Sequence, residues 1–367
     1  MKVFQIIFSL SSGGAERVVT NLSNELAKNH ELYIITIHKN VGNNSFYLNQ
    51  LDQKINVISL NKNRGISLDS FVKIFNLIKK HKPNIVHAHL NTILYCILPS
   101  LIFKKIKFFH TLHSIADKTI KIKWQKAISK FYYKNKIIHP IAISKECAIS
   151  YQKFYGLRDI AVIENGVPIP EKSDKFVEVK KEIEGYRLSK GIIFVHIARF
   201  SKEKNQELLV AIFNELIAQG NNIKLLIIGN GFDSDEGMLL KQKAKKGIYF
   251  LGEKRNPTDY LLCSDCFILS SMWEGLPMSL LEAMSCGLPT VSTPAGGIAD
   301  ILVKDYLGVL SKDFSSEELK KAVASFIDSQ SVFESSKIKL HFENIFSIQK
   351  ATNSHVKLYT GEYDNIN

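Results

Sequence analysis

Two carboxylates frame the most chemically loaded stretch of the chain, Trp273-Glu274-Gly275-Leu276-Pro277-Met278-Ser279-Leu280-Leu281-Glu282-Ala283-Met284. Gly275 and Pro277 make a loop, and the residues from Met278 onward suit a helix. Glu274 then lies in the loop and Glu282 in the second turn of an otherwise apolar helix. An acid among Leu280, Leu281, Ala283 and Met284 is costly to bury unless something hydrogen-bonds to it. Vicinal hydroxyls of a ribose would do so, each charged hydrogen bond being worth about 1.5–3 kcal/mol. Glu274 would accept from hydroxyls of a second sugar ring. The N–H groups at the helix start, around Ser279 to Leu281, would face a diphosphate between them. The plain alternative is a Glu282 that faces solvent.

Other loops carry weaker signals. Arg199-Phe200-Ser201-Lys202-Glu203-Lys204-Asn205 sets three cations between an apolar run and an amphipathic segment. Arg offers a fork of donors to phosphate oxygens and Lys a point charge, although a solvated charged turn reads the same way. Gly229-Asn230-Gly231 closes another apolar run, as a close backbone approach or a plain turn. Near the start, Ser11-Ser12-Gly13-Gly14-Ala15-Glu16-Arg17 joins a strand to a helix whose free N–H groups suit an anion. It lacks the third glycine of a dinucleotide fingerprint, and the strand ending at His38-Lys39 brings no ribose-binding carboxylate, which argues against a nicotinamide cofactor. His87 and His89 close one strand, His110 and His113 another. A strand-end histidine is more often structural, but His113 would point into a cleft. Asp233 and Asp235 have the spacing of a cation-binding pair, yet acids before a helix also simply complement its dipole. Cys263 and Cys266 have metal-like spacing without a second pair.

These loops need strands to hold them. Apolar runs of strand length recur at Val3–Leu10, Leu32–His38, Val57–Leu60, Ile85–His89, Lys107–Thr111, Pro140–Ile143 and Ile160–Ile163. They recur again at Ile192–Ala198, Lys224–Ile228, Ile248–Leu251, Cys266–Leu269 and Thr290–Ser292. Helical stretches such as Ala15–Asn29, Ser67–His81, Asn205–Gln219, Met278–Cys286 and Ser316–Ser329 fall between them. Such alternation predicts parallel sheets covered on both faces, with ligands beyond the carboxyl ends of the strands. The polar stretch Gly166–Lys190, with Pro168 and Pro170, divides the series in two. The expected organisation is α/β: two doubly wound domains over 1–168 and 169–345, with residues 346–367 as a closing helix.

The chain has 367 residues, too many for one compact core, and 45% of them are hydrophobic. Its net charge of +13 is uneven: residues 1–170 hold 24 basic and 9 acidic side chains, the rest 24 and 26. Only the first part would be drawn to an anionic partner. Five Cys imply reduced thiols rather than a disulfide framework. Thr92–Phe103 is too short for a membrane span and reads as a buried helix. The opening MKVFQIIFSL reads as a strand rather than a signal peptide, so a cytoplasmic protein is expected.

Taken together, the motifs resemble a retaining family 4 glycosyltransferase of the GT-B kind. They are the GGAER loop, the RFSKEK loop, IIGNG, FLG at Phe250–Gly252, EGLPMSLLE, and TPAGGIADIL. The resemblance implies two Rossmann-like domains facing a cleft, with the tail through Tyr359 packed back on the first. It implies that Arg199 and Lys204 neutralise a donor diphosphate, that Glu282 holds the ribose and Glu274 the transferred sugar, and that His113 lies at the reaction centre. Gly13, Gly14, Gly229, Gly231, Gly252, Gly275, Leu276, Pro277, Met278, Ser279 and Leu280 complete the implied donor site. Asp300 stands where the family commonly has Glu, one carbon longer.

The expected reaction moves a hexose or N-acetylhexosamine from a nucleotide-diphosphate sugar, with UDP the expected nucleotide. Fixed cations and a helix N-terminus take the leaving charge, so no metal or other cofactor is expected. Lys104 to Lys136 holds ten Lys and one acid, interleaved with aromatic residues. Lys104, Lys105, Lys107, Lys118, Lys121, Lys123 and Lys126 suit an anionic membrane surface, although a solvated helix face is the plain alternative. No nucleic-acid module is visible. The implied acceptor is an oligosaccharide or a polyprenyl-diphosphate-linked glycan, in capsule, O-antigen or similar synthesis at the inner face of the membrane. A non-catalytic glycan-lipid-binding protein and a nucleotide-sugar epimerase are the competing readings.

Overall fold

The structure is a computed structural model and describes residues 1–62, 68–116, 122–187 and 191–362. The chain divides into two compact units, residues 1–167 with those from 346 onward, and residues 168–345. Each is built on a parallel sheet.

In the first unit seven strands take the order β3-β2-β1-β4-β5-β6-β7. They are β1 (Lys2–Ile7), β2 (Glu31–His38), β3 (Asn56–Lys62), β4 (Ile85–His89), β5 (Lys107–Leu112), β6 (His139–Ala142) and β7 (Ala161–Val162). In register, Val3 lies opposite Leu32 on one side and Ile85 on the other. β1 is buried on both faces beyond its first residue, which is why its sequence is a near-continuous apolar run. The polar exception, Gln5, is itself fully buried.

The second unit has six strands in the order β10-β9-β8-β11-β12-β13. They are β8 (Ile192–Ile197), β9 (Ile223–Ile228), β10 (Ile248–Gly252), β11 (Cys266–Leu269), β12 (Thr290–Ser292) and β13 (Gly308–Leu310). The sequence does not predict β13, a three-residue strand with one glycine. Phe194, Phe213 and Phe326 lie in its buried core. In each sheet the order reverses beside the first strand, between β1 and β4 and between β8 and β11. These are the switch points where carboxyl-end loops diverge and leave room for a ligand.

The last helix, Ile348–Thr360, belongs to the first unit. Tyr359 is buried in the same cluster as Val3, Leu22 and Phe109, and a bridge pairs Val167 with Ser347. Lys107 Nζ donates to the carbonyls of Tyr359 and Thr360 at 2.8 and 3.2 Å, closing the helix where its dipole favours a cation.

The stretch 92–103 is not a single buried helix. A 3-10 segment, Leu90–Cys96, leads into a short helix, Ile97–Ile102. Leu98, Leu101 and Ile102 are exposed, because the helix covers the core with one face only.

Candidate functional site

The second unit brings its charged motifs together at the β8/β11 switch point. Lys204 Nζ, from the loop after β8, lies 2.6 Å from Glu274 Oε1, from the loop after β11. Ser271 Oγ donates to the same oxygen at 2.6 Å. Glu274 is buried, and its Oε2 has no partner among the described residues. That oxygen is an open acceptor beside a neutralised one. Arg199 is largely exposed and, among the described residues, its guanidinium pairs only with Glu203 at the surface, 2.9 Å away, which leaves it available to an anion.

Backbone contacts set this constellation. Ser270 Oγ lies 2.9 and 3.0 Å from the carbonyls of Lys204 and Asn205, and Met272 N–H donates to Glu203 O at 2.8 Å. Thr293 Oγ1 donates to Ser271 O at 2.6 Å, adding the loop after β12. Beneath Arg199, Gln206 Nε2 donates to its carbonyl at 2.9 Å and lies 3.3 Å from His196 Nε2. Burial pushes His196 down to about 4, so the ring is neutral; Nδ1–H donates to Ile268 O at 2.9 Å and Nε2 accepts from Gln206. No motif marks Ser270, Ser271, Gln206 or His196, and Thr293 enters only as the first residue of TPAGGIADIL. Only His196, a polar residue inside an apolar strand, carries a signal that could have found it.

The helix Met278–Ser285 begins at Pro277 without a side-chain cap. The expectation that Leu280 and Leu281 present free N–H groups is corrected: both donate to Pro277 O, at 3.1 and 3.4 Å. The groups left at the helix start are those of Met278 and Ser279. Leu280 is fully buried and faces the core, with Leu276, Pro277 and Met278 also buried and Gly275 and Ser279 half-buried. Glu282 is 8% exposed, so the solvent-facing alternative does not hold. Asp300 is exposed on the short helix Ile298–Ile301.

The glycines after β9 and β10 have reasons of their own. Gly229 has φ +152, and a Cβ there would lie 1.9 Å from the Ala198 carbonyl oxygen. Gly231 and Gly252 also have positive φ. Gly229 N–H donates to Gly252 O and Phe200 N–H to Asn230 O, so the three strand ends are laced together. Asp233 pairs with Lys241 at 2.8 Å, and Asp235 sits in the first turn of a helix capped by Ser234. Cys263 and Cys266 are free thiols.

In the first unit, Gly13 caps the helix Gly14–Leu26. The Glu16 carboxylate folds over it, so that a Cβ on Gly13 would lie 2.2 Å from Glu16 Oε2. The helix start thus already has an acid beside it. Further along the sheet edge lies a group of imidazoles. His89 Nδ1 is 2.9 Å from His113 Nε2, and His89 Nε2 is 2.7 Å from Gln5 Oε1. His87 contacts the Tyr359 hydroxyl and Thr111 Oγ1, each at 2.7 Å. His110 contacts the Tyr133 hydroxyl and Leu90 O. Burial pushes His113 down to about 3 and His110 to about 4.

The basic stretch divides. Lys104, Lys105 and Lys123 are exposed. Lys107 is corrected: its ammonium closes the last helix. Lys126 is half-buried, with Nζ 4.1 Å from the Phe154 ring centroid. Lys118 and Lys121 lie outside the described residues. On the helix Lys123–Lys134, Trp124 and Phe131 are exposed at 50% and 55%, while Tyr132 and Tyr133 are buried. No helix among the described residues is long and apolar enough to cross a membrane.

Residues 12–170 match the family described as Glycosyltransferase Family 4, and residues 179–339 the one described as Glycosyl transferases group 1. An uncharacterized glycosyltransferase of Methanocaldococcus jannaschii is 28% identical over 67% of each chain. A UDP-Gal:alpha-D-GlcNAc-diphosphoundecaprenol alpha-1,3-galactosyltransferase of Escherichia coli is 27% identical over 78% of each. Among solved structures, Anabaena Alr3699/HepE in complex with UDP and glucose superposes with a TM-score of 0.81 at 18% identity, covering 98% of this chain and 100% of that one. That likeness is one of fold.

Proposed function

The chain belongs to glycosyltransferase family 4, with two Rossmann-like parallel-sheet domains of the GT-B type, and on that premise we propose that it moves a hexose or N-acetylhexosamine from a UDP-sugar to a polyprenyl-diphosphate-linked glycan, with retention at the anomeric carbon. The observation that carries this reading is the Lys204–Glu274 pair. It puts a cation and an open carboxylate oxygen side by side where a sugar diphosphate needs both. Breaking the anomeric bond leaves an oxocarbenium-like sugar and an extra negative charge on the departing nucleotide. Lys204, Arg199 and the N–H groups of Met278 and Ser279 would stabilise that charge as fixed donors. Glu274 Oε2 would accept from the sugar's hydroxyls, and Glu282 from those of the ribose. Within the first unit, the Gly14 N–H and the His113 ring are proposed to contact substrate. No metal is needed in this scheme.

The acceptor part of the proposal draws on the diphosphoundecaprenol substrate named for the Escherichia coli relative. It draws also on the exposed Trp124 and Phe131 flanked by Lys123, Lys130 and Lys134, a face suited to the cytoplasmic surface of an acidic membrane and hence to surface-polysaccharide synthesis. A thermal-shift screen against nucleoside diphosphates and nucleotide sugars tests the donor. UDP and one UDP-sugar should raise Tm by mass action, in chelator as well as in Mg²⁺, and a flat response to every uridine nucleotide refutes the assignment.

A further inference from the structure

His113 is wired to the first sheet through two other side chains. Gln5 Oε1 on β1 lies 2.7 Å from His89 Nε2 on β4, and His89 Nδ1 lies 2.9 Å from His113 Nε2. A neutral imidazole has one N–H and one lone pair, and an amide oxygen only accepts. With the Gln5 amide placed so that Oε1 faces His89, His89 holds its proton on Nε2 and its Nδ1 is a lone pair. The contact then requires His113 to donate from Nε2. The other nitrogen of His113, Nδ1, is left as a lone pair with no partner among the described residues.

We propose that Gln5 and His89 are positioning residues that fix His113 in the Nε2–H tautomer, so that Nδ1 accepts a hydrogen bond from a substrate hydroxyl; this rests on the reading of His113 as a residue of the reaction centre. The surroundings keep both rings neutral. The ionisable groups acting on them are His87 on β4, His110 on β5 and His355 on the last helix, all imidazoles. Gln5 cannot hold a proton that moves along the chain, as a carboxylate could. The arrangement is thus a fixed acceptor and not a proton relay. The buried Gln5 Nε2 has no hydrogen-bond partner of good geometry among the described residues, with the Tyr359 hydroxyl its polar neighbour, a cost an apolar residue at this position would avoid. The site keeps the amide, whose oxygen faces His89.

Gln5→Glu is the sharpest variant. A carboxylate would hold His89 as an imidazolium donating from both nitrogens. His113 would then accept at Nε2 and carry its own proton on Nδ1. Two-bond ¹H–¹⁵N NMR on the full chain reads the tautomer directly, and steady-state kinetics with the UDP-sugar found by the screen read its use. The expected result is Nε2–H at His113 in the wild type, Nδ1–H in the variant, and a variant kcat lower by roughly ten-fold with the donor KM little changed. Wild-type His113 protonated on Nδ1 overturns the proposal, even if the variant fails to fold. An unchanged kcat in a variant whose tautomer has switched also overturns it. If the wild type has the expected tautomer but turns over no nucleotide sugar, the reaction proposed above fails while the tautomer assignment stands.

Discussion

The two units repeat one plan and equip it differently. Each sheet reverses its strand order beside its first strand, and each gathers polar side chains near that reversal. In the first unit those side chains are neutral: Gln5, His89 and His113, backed by His87, His110 and Tyr359. In the second they are charged: Arg199, Lys204, Glu274 and Glu282. Neutral imidazoles can orient hydroxyls but do little for a diphosphate, whereas fixed ions can stabilise one. The same architecture therefore gives two sites of different electrostatic character.

The largest expected effect tests the charged side. Lys204→Ala or Arg199→Ala should lower turnover by on the order of 100-fold, as losing an oxyanion donor does. Near-normal kcat in both would erase the contrast between the units. Acid should act on the neutral side. His113 is lowered to about 3, and His110 and His355 to about 4, with burial the leading cause in each. An imidazole that stays neutral in the fold binds more protons once unfolded. Its contribution to stability is thus complete above about pH 6.5 and is lost as pH falls toward these values, by up to about 1.4 kcal/mol per group per pH unit. His196 exerts the same pull in the second unit. Pulse-labelling hydrogen exchange over a descending pH series should see the first unit open before the second. Simultaneous opening would contradict the asymmetry.

Backbone demands differ too. Gly229→Ala would place a methyl against the Ala198 carbonyl at a φ of +152, costing about 2–4 kcal/mol and lowering Tm. Gly156, with φ +66, ends a helix of the first unit, and among the described residues a Cβ there would meet only Lys130 Nζ at 3.6 Å, so the same change there should cost about 1 kcal/mol. Equal losses in chemical denaturation would remove that difference. The smallest effect is Lys107→Met, which uncaps the last helix. About 0.3–1 kcal/mol is expected, visible as faster exchange of amides near Tyr359.

Much of this was legible in the sequence. Apolar runs bounded by glycine loops locate twelve of the strands because parallel strands are buried on both faces, and their carboxyl ends name the motif loops. The contacts of Ser270, Ser271, Thr293 and Gln206 were not legible, since hydroxyl and amide side chains occur everywhere and only the third dimension aims them. The Lys204–Glu274 contact spans 70 residues, and no spacing rule predicts it. Lys107 read as a surface cation because its partners, the carbonyls of Tyr359 and Thr360, are over 250 residues away in sequence.

The bond between His87 and the Tyr359 hydroxyl spans 272 residues, and the whole second unit lies within that interval. On the ribosome, the second unit can therefore assemble while the first still lacks its closing helix. The core of the first unit is completed only after the second unit has been made, and until then the His87 ring waits for its tyrosine.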